Sequence, residues 1–258
     1  MINFCVLDSI RFRITLKVLT FNIHSGINWS GHYDLEQIAA FIGGIKPDLA
    51  GIQEVSRFWS WRTNFQDMVT FLGDRLGMLP AFSASLCRDG KASFGNLILT
   101  KYPIINTWSE ILPDNREPRS YLAAQVLANG VRVNFLTAHL GLSDKERLNQ
   151  VNKIVKFGTQ LSGPLIITGD FNEKPNGGGI AIIRENWIKH NLSPPQGTLR
   201  LSDHEVGPEI DMIFTSSDWG LKSMRVYENE LSDHLPVVAE LELNLPWTQV
   251  AGEPVSKL

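Results

Sequence analysis

The sequence has few cysteines, no surplus of basic residues and no long apolar run, and each absence excludes a class of protein. Its only cysteines are Cys5 and Cys87. They form no CxxC or Cys/His pattern, which excludes a disulfide framework and argues against a structural zinc site. Proteins that rely on non-specific contacts with phosphate backbones carry a basic surplus. The formal net charge here is −3, so charge does not favour nucleic acid, although it leaves that partner open.

The ends of the chain lack targeting signals. No run reaches the length of a transmembrane helix, and Asp8, Arg11, Arg13 and Lys17 interrupt the apolar N-terminal segment. Without a basic region and a cleavage site around an apolar block, no secretory signal is predicted. We therefore expect a cytoplasmic protein and assume a monomer. The expected organisation is an extension over residues 1–13, one domain over 14–245 and a tail over 246–258.

The pattern of apolar residues predicts more strands than helices. Strands are expected over 14–22 and 48–55, and Asn129-Gly130 predicts a hairpin turn within 121–140. Helices are expected over the segments 34–45, 64–78, 143–161 and 177–190. Several strands are apolar throughout, so both of their faces must be covered. Because hairpin and helical connections both occur, the prediction is two packed mixed sheets with helices on their outer faces.

Two helix ends carry specific signals. Asp34 is a plausible N-cap for the first helix, with Gly43-Gly44 as its end, and Ser143 with Glu146 fits a capping box at the third.

Six short polar motifs follow apolar runs. They are TFNIHSG (20–26), GIQEV (51–55), TAHLG (137–141), TGDFN (168–172), EIDMIF (209–214) and SDHLP (232–236). Strand ends hold side chains rigidly while the adjoining loops leave room for a substrate. Together the motifs supply carboxylates, amides and imidazoles: Asn22, Glu54, His139, Asp170, Asn172, Asp211, Asp233 and His234. Hard oxygen ligands suit Mg²⁺ or Mn²⁺, and these cations suit phosphate chemistry.

Each motif also has a structural interpretation. Glu54 ends an apolar strand, where a carboxylate is costly unless it reaches solvent or a cation. Asp170 and Asn172 are two residues apart and face the same way on an extended chain, but GDFN also fits an Asx turn. Asp211 lies inside an apolar strand, and we predict that it fixes the ring of His234. The alternative is a carboxylate that bonds a turn.

Other chemistries fit less well. The sequence has no GxSxG, Walker A or GxGxxG pattern. A serine hydrolase built on Ser232, Asp233 and His234 fails on geometry, because adjacent residues of an extended chain point to opposite faces. His139, taken alone, is better explained by a structural role at a strand end.

Taken together, the motifs resemble the endonuclease/exonuclease/phosphatase superfamily, which includes DNase I, inositol polyphosphate 5-phosphatases and neutral sphingomyelinases. The resemblance covers about residues 16–242. It implies an α/β (α+β) fold, a four-layer α/β/β/α sandwich of the DNase I type. It also implies Mg²⁺ (or Mn²⁺) held chiefly by Glu54, assisted by Asn22 and Asp233.

The same resemblance implies roles for the remaining residues. Asp170 would activate or position the attacking water, and Asn172 would hold a phosphate oxygen. His234, oriented by Asp211, would stabilise the developing charge. His139 would contact the phosphate or protonate the leaving oxygen. Which of Asp170 and His234 is the base stays open.

Within this superfamily, FNIHSG, FGNLILTKYPI, REPRS, TAHLGLSDKER and GDFN resemble segments of small bacterial metal-dependent hydrolases. This likeness adds Arg119 as a weaker phosphate contact, and His24 is another because it follows Asn22 closely. The segment 197–208 departs from the pattern of this group, which puts substrate contacts there in doubt. The aromatic cluster Phe58-Trp59-Trp61 either borders the site, where it would stack on a base or insert in lipid, or is partly buried in a loop.

The resulting expectation is a Mg²⁺-dependent phosphoesterase that hydrolyses a phosphodiester, with nucleic acid, phospholipid and small soluble diesters all open as substrates. A phosphomonoesterase of the same fold and a non-catalytic phosphate-binding module are the alternatives.

Overall fold

The computed structural model describes residues 11–246, which form two six-stranded sheets. The first sheet has the order β13-β14-β1-β2-β4-β3. Its strands are β1 (Arg11–Asn22), β2 (Leu49–Arg57), β3 (Leu79–Arg88), β4 (Ala92–Thr100), β13 (Trp219–Val226) and β14 (Val237–Pro246). The second sheet has the order β5-β6-β7-β8-β12-β9. Its strands are β5 (Ile104–Leu112), β6 (Arg119–Ala128), β7 (Val131–His139), β8 (Leu165–Asp170), β9 (Ile188–Lys189) and β12 (Asp211–Thr215).

The remaining elements are short. A hairpin, β10 (Arg200–Ser202) with β11 (Glu205–Val206), stands apart from both sheets. The helices are α1 (Leu35–Ile45), α2 (Met68–Leu76), α3 (Asp144–Gly158) and α4 (Gly178–Arg184), and 3₁₀ turns occur at His24–Gly26 and Trp61–Thr63.

Three separate apolar cores show that the layers are stacked as α/β/β/α. The central core lies between the sheets and includes Val18, Phe135 and Leu241. A second joins the first sheet to α1 and α2, and a third joins the second sheet to α3 and α4. Pairing is parallel between β1 and β2 and between β7 and β8, and antiparallel elsewhere in the two sheets. The predicted sandwich of two mixed sheets is therefore confirmed.

A polar layer joins the two sheets next to the strand ends that carry the motifs. Gln53 of β2 donates through Nε2 to Thr137 Oγ1 of β7 at 2.7 Å. Asn96 of β4 donates through Nδ2 to the Ser120 carbonyl of β6 at 2.8 Å. Because these buried hydrogen bonds are directional, they fix the position of one sheet relative to the other close to the motifs.

Several predicted helix ends need correction. Asp34 caps α1 as predicted, accepting from the Gln37 amide at 3.0 Å. The helix passes through Gly43-Gly44, however, and ends at Lys46 with a left-handed φ of 54°. The capping box is wrong: Ser143 makes no side-chain cap, and Glu146 instead accepts from the Asn115 amide at 2.9 Å.

Strands β5 and β13 were not predicted. Each lies at one edge of its sheet. Most of their side chains are wholly or partly exposed, so neither carries the apolar run that marks a buried strand. Two helices are clearly shorter than the expected segments 64–78 and 177–190. Helix α2 begins only at Met68, and α4 ends at Arg184, before β9.

The described strands extend slightly beyond the expected domain limits of 14 and 245 at both ends. Strand β1 already begins at Arg11 within the expected extension, and β14 runs to Pro246. Residues 1–10 and 247–258 of the expected extension and tail, with Cys5, lie outside the described residues. Cys87 is exposed and has a free thiol. Within the described part of the chain, none of the helices has both the length and the apolar character needed to cross a bilayer.

Gly51→Ala is expected to destabilise the fold, because Gly51 lies where the sheets approach most closely. A Cβ there would lie 2.5 Å from Thr168 Oγ1 and 2.6 Å from Thr137 Oγ1. Overpacking of this kind costs about 1–3 kcal/mol. In α1, Gly44 has open space around it, so Gly44→Ala should stabilise by about 0.5–1 kcal/mol. Urea unfolding measures both, and equal stability of the two variants would contradict the close approach.

Candidate functional site

Strand pairing places three motif residues in one row across the second sheet. His139 of β7 pairs with Asp170 of β8, and Asp170 pairs with Asp211 of β12. Residues that pair directly share a face of the sheet, so one imidazole and two carboxylates lie side by side. Asp211 is the first residue of its strand, and the prediction that it lies inside the strand needs this correction.

The predicted pairing of Asp211 with His234 is confirmed. His234 Nδ1 lies 2.9 Å from Asp211 Oδ2, and its Nε2 lies 3.6 Å from Asp170 Oδ2. The loop before β14 holds the ring in place, because Ser232 Oγ donates to the Asn22 carbonyl at 2.8 Å and accepts from the His234 amide at 3.2 Å. Ser232 is thus bonded to the backbone on both sides, which also argues against its use as a nucleophile.

The surroundings of His234 favour its charged form. Burial alone would lower its pKa, but the carboxylates of Asp211 and Asp170 outweigh burial and raise the pKa to about 10. At neutral pH the ring is therefore an imidazolium, with both nitrogens protonated.

Asn22 links the two sheets at the centre of the site. Its Nδ2 donates to Glu54 Oε1 at 3.1 Å and to Asp170 Oδ2 at 3.0 Å. Its Oδ1 accepts from the backbone amide of His24 at 3.0 Å. Strand β1 therefore supplies one side chain that touches a carboxylate from each sheet.

A β-bulge brings Glu54 to this centre. The register between β2 and β4 shifts between Ile52 and Val55, and Glu54 takes a left-handed φ of 59°. Bulges re-aim side chains beside active sites. The expectation that the strand ends at Glu54 is wrong, because β2 continues to Arg57. Burial raises the pKa of Glu54, an effect that the Asn22 hydrogen bond only partly offsets.

Left-handed backbone is concentrated in the site. Three of the ten described non-glycine residues with positive φ are His24 (45°), Glu54 (59°) and Asn172 (49°). Such residues cost about 1–3 kcal/mol each and cluster where function requires them.

Asn172 and His139 approach Asp170 from the other side. The Asn172 amide donates to Asp170 Oδ1 at 2.9 Å, which is the Asx turn considered above. The same turn brings Asn172 Nδ2 within 3.2 Å of His139 Nε2, so both interpretations of GDFN hold together. His139 Nε2 also lies 3.3 Å from Asp170 Oδ2.

His139 is neutral, unlike His234. Burial, the largest effect, lowers its pKa to about 3, and nearby Arg119 acts in the same direction. Arg119 Nη1 lies 3.3 Å from His139 Nδ1 and donates to Glu117 Oε1 at 2.7 Å. The remaining ring nitrogen, Nε2, therefore carries the proton and faces Asp170.

Asp233 lies beside His24, which in turn lies near Glu54. His24 Nδ1 is 3.6 Å from Asp233 Oδ1, and His24 is close enough to Glu54 to lower its pKa. All ten residues singled out from the sequence therefore lie in one connected group. They are Asn22, His24, Glu54, Arg119, His139, Asp170, Asn172, Asp211, Asp233 and His234.

The donor set fits a hard divalent cation. The group contains four carboxylates, on Glu54, Asp170, Asp211 and Asp233, and His234 neutralises part of their charge. Asp170, Asp211 and His234 place ligand atoms within 4.8 Å of one another, but the imidazolium already offsets one of the two negative charges there. Glu54 is partly buried, its only hydrogen-bond partner among the described residues is the neutral Asn22, and a cation would compensate its charge.

Two cavities reach the site and share no lining residue. One of about 600 Å³ touches Asn172 and is lined by Arg147, Glu173, Lys174 and Leu199, among others. The other, of about 330 Å³, touches Glu54 and His24 and is lined by Trp59, Arg62, Phe94 and Glu117. The sequence did not single out Glu117, Glu173 or Lys174, although each adjoins a recognised motif.

Two further arginines, which follow the motifs of Glu54 and His139 along the chain, have structural partners. Arg57 forms two hydrogen bonds with Asp67, at 2.9 and 2.7 Å. Arg147 is buried and bonds the Gly141 carbonyl and Asp144.

Comparisons with known proteins agree with the fold. Residues 19–234 match the model of the Endonuclease/Exonuclease/phosphatase family. An endonuclease/exonuclease/phosphatase structure from Beutenbergia cavernae DSM 12333 is 21% identical, with a TM-score of 0.76 over 89% of this chain and 72% of the other. The mannosyl-6-phosphatase Bt3783 of Bacteroides thetaiotaomicron is 19% identical, with a TM-score of 0.65 over 88% of this chain and 99% of the other.

A further similar structure is that of D. rerio TDP2 complexed with a single-strand DNA product. It is 15% identical, with a TM-score of 0.69 over 88% of this chain and 98% of the other. At these identities the likeness concerns the fold. No curated protein sequence gives a significant match.

Asp211→Asn is expected to lower the pKa of His234, so that its ring loses its positive charge. In metal-free buffer with EDTA, the wild-type ring should remain an imidazolium at pH 8, because its pKa is about 10. Removing the nearest anion lowers that pKa, so the variant's ring should lose a proton at the same pH. Nitrogen chemical shifts of the ring report its protonation by NMR. Asp218→Asn, whose carboxylate bonds Ser216, is the control. Wild-type titration below pH 7 would contradict the assignment.

Proposed function

Because the chain belongs to the endonuclease/exonuclease/phosphatase family, whose members are hydrolases acting on phosphoesters, we propose that it is a metal-dependent phosphodiesterase with water as the nucleophile. The observation that carries the proposal is the position of Asp170 Oδ2. It lies 3.0 Å from Asn22 Nδ2, 3.3 Å from His139 Nε2 and 3.6 Å from His234 Nε2. A carboxylate held between one side-chain amide and two imidazole rings is suited to orient a water molecule and accept its proton.

The other side chains of the site either orient Asp170 or bind and stabilise the phosphate. His139 is neutral and directs Nε2–H towards Asp170, so it orients the carboxylate and supplies no acid proton. The carboxylates of Asp211 and Asp170 favour the protonated form of His234, so we assign the role of base to Asp170. The imidazolium of His234 and the amide of Asn172 are suited to hold phosphate oxygens as negative charge develops on them. Arg119, which lies beside His139, adds a second cation on that side.

The family's enzymes are typically dependent on divalent metal, and we infer Mg²⁺ or Mn²⁺ here. Glu54 would hold it, assisted by Asp233, and Asn22, whose Nδ2 donates to Glu54, would position that carboxylate. A cation bound there would neutralise charge on the phosphoryl oxygens.

The two cavities support a diester. A phosphodiester carries an organic group on each side of the phosphate, and one cavity opens on the side of Asn172 and the other on the side of Glu54. A monoester carries one organic group and would leave one cavity empty. Because none of the expected site residues is missing, a non-catalytic phosphate-binding module is less well supported.

Hydrolysis assays test the proposal. Bis-p-nitrophenyl phosphate should be cleaved with Mg²⁺ or Mn²⁺ and not with EDTA, and faster than p-nitrophenyl phosphate. Asp170→Asn and His234→Gln should each lower kcat by about 100-fold or more, because one loses the base and the other the cation beside the phosphate. His32→Gln, at an exposed residue, is the control. Turnover of the monoester alone would make the protein a phosphatase, and activity that survives EDTA and both substitutions would refute the site.

Thermal unfolding tests the metal site without an activity assay. Mg²⁺ at about 100 times its Kd should add about 2.7 kcal/mol to the free energy of unfolding of the wild type. Glu54→Gln should lose most of this gain, because the amide has no charge to attract the cation. Glu36→Gln is the matched control, since Glu36 is exposed and paired with Arg75. An equal gain in the Glu54 and Glu36 variants would place the metal elsewhere.

A further inference from the structure

Three large aromatic side chains project into solvent from one loop. Phe58, Trp61 and Phe65 are 46%, 76% and 54% exposed. The loop between β2 and α2 that carries them, residues 58–65, is called the aromatic loop below. Large apolar side chains exposed together mark an interaction surface more often than single ones do.

The aromatic loop is well built, so the exposure does not come from a frayed segment. The Phe58 amide donates to the Gln66 carbonyl at 3.1 Å, and the Phe65 amide donates to the Ser60 carbonyl at 2.9 Å. The pair of hydrogen bonds from Arg57 to Asp67 closes its base. Phe58 and Phe65 hold left-handed φ values of 54° and 48°, which bulky residues rarely adopt. The fold thus maintains an unfavourable backbone that presents these rings to solvent.

Basic residues flank the exposed rings. Arg62 belongs to the loop and forms no ion pair among residues 11–246. The turn between β3 and β4 lies against the loop, where Arg88 stacks over the Trp59 ring at 4.8 Å and bonds the Trp59 carbonyl. The same turn carries Lys91 and one acid, Asp89, which lies 3.9 Å from Arg88. This surface is basic on a chain whose formal net charge is −3.

The aromatic loop also forms a wall of the route to the site. Trp59, Ser60 and Arg62 line the cavity of about 330 Å³ that ends at Glu54 and His24. Whatever binds the exposed rings therefore lies at the mouth of this cavity.

We propose that the aromatic loop and the β3–β4 turn bind an anionic lipid surface, from which the site takes a phosphodiester headgroup. Trp and Phe rings favour the boundary between headgroups and acyl chains, and Arg and Lys favour anionic lipid. Nucleic acid fits less well, because binding a strand requires a basic track along a groove, whereas these rings and cations project from adjacent loops. The substrate part of this proposal rests on the proposed function, and the binding part does not.

Vesicle sedimentation tests binding directly. The full-length protein, in EDTA so that no turnover occurs, is mixed with vesicles of phosphatidylcholine alone or with phosphatidylserine. The wild type should sediment with the anionic vesicles and lose binding as salt rises. Trp61→Ser and the double variant Phe58→Ser/Phe65→Ser should bind at least about tenfold more weakly. Ile111→Ser and Leu142→Ser are matched controls, because those residues are 56% and 55% exposed in other segments.

The outcomes separate the two proposals. No sedimentation of the wild type, equal loss in the control variants, or binding to a single-stranded oligonucleotide in place of vesicles would overturn lipid binding. Hydrolysis of bis-p-nitrophenyl phosphate by the wild type, measured in parallel, reports the proposed function alone. Vesicle binding without any hydrolysis would therefore refute the phosphodiesterase and leave the lipid surface standing.

Discussion

The site depends on one amide group that joins two sheets. Asn22 Nδ2 bonds Glu54 from the first sheet and Asp170 from the second, so one side chain joins a carboxylate of each sheet within the site. The polar layer of Gln53 and Thr137 beneath it holds the sheets at that spacing. A shift of either sheet would separate the expected metal ligands from the base, and positioning at this tolerance decides catalytic rate.

The negative charge of the site explains why its own side chains leave a place for a bound cation. His234 stands between Asp211 and Asp170 and offsets part of their charge, and these carboxylates in turn favour its cationic form. Glu54 receives no such partner among the described residues, and burial raises its pKa. Substrate phosphate would add further negative charge. A divalent cation beside Glu54 resolves both problems, which is why the geometry favours metal-dependent phosphoester chemistry.

The sequence predicted residue types better than backbone detail. Asp211 and His234 were paired correctly, because a carboxylate beside an apolar run needs a partner. The bulge that turns Glu54 towards the site was missed, since it arises from the register between β2 and β4 and leaves no local pattern. Strands β5 and β13 were missed because edge strands expose most of their side chains. The exposure of Trp61 likewise depends on a loop closed by Arg57 and Asp67, which are ten residues apart.

A crystal structure with Mn²⁺ and inorganic phosphate, with the ion located by its anomalous scattering, is the sharpest test of the metal site. One strong peak is expected, coordinated by Glu54, with Asp233 or Asn22 beside it. Phosphate should then contact His234 and Asn172. A peak held by Asp170, Asp211 and His234 instead, with Glu54 left free, would contradict both the division of charge and the role given to Asp170.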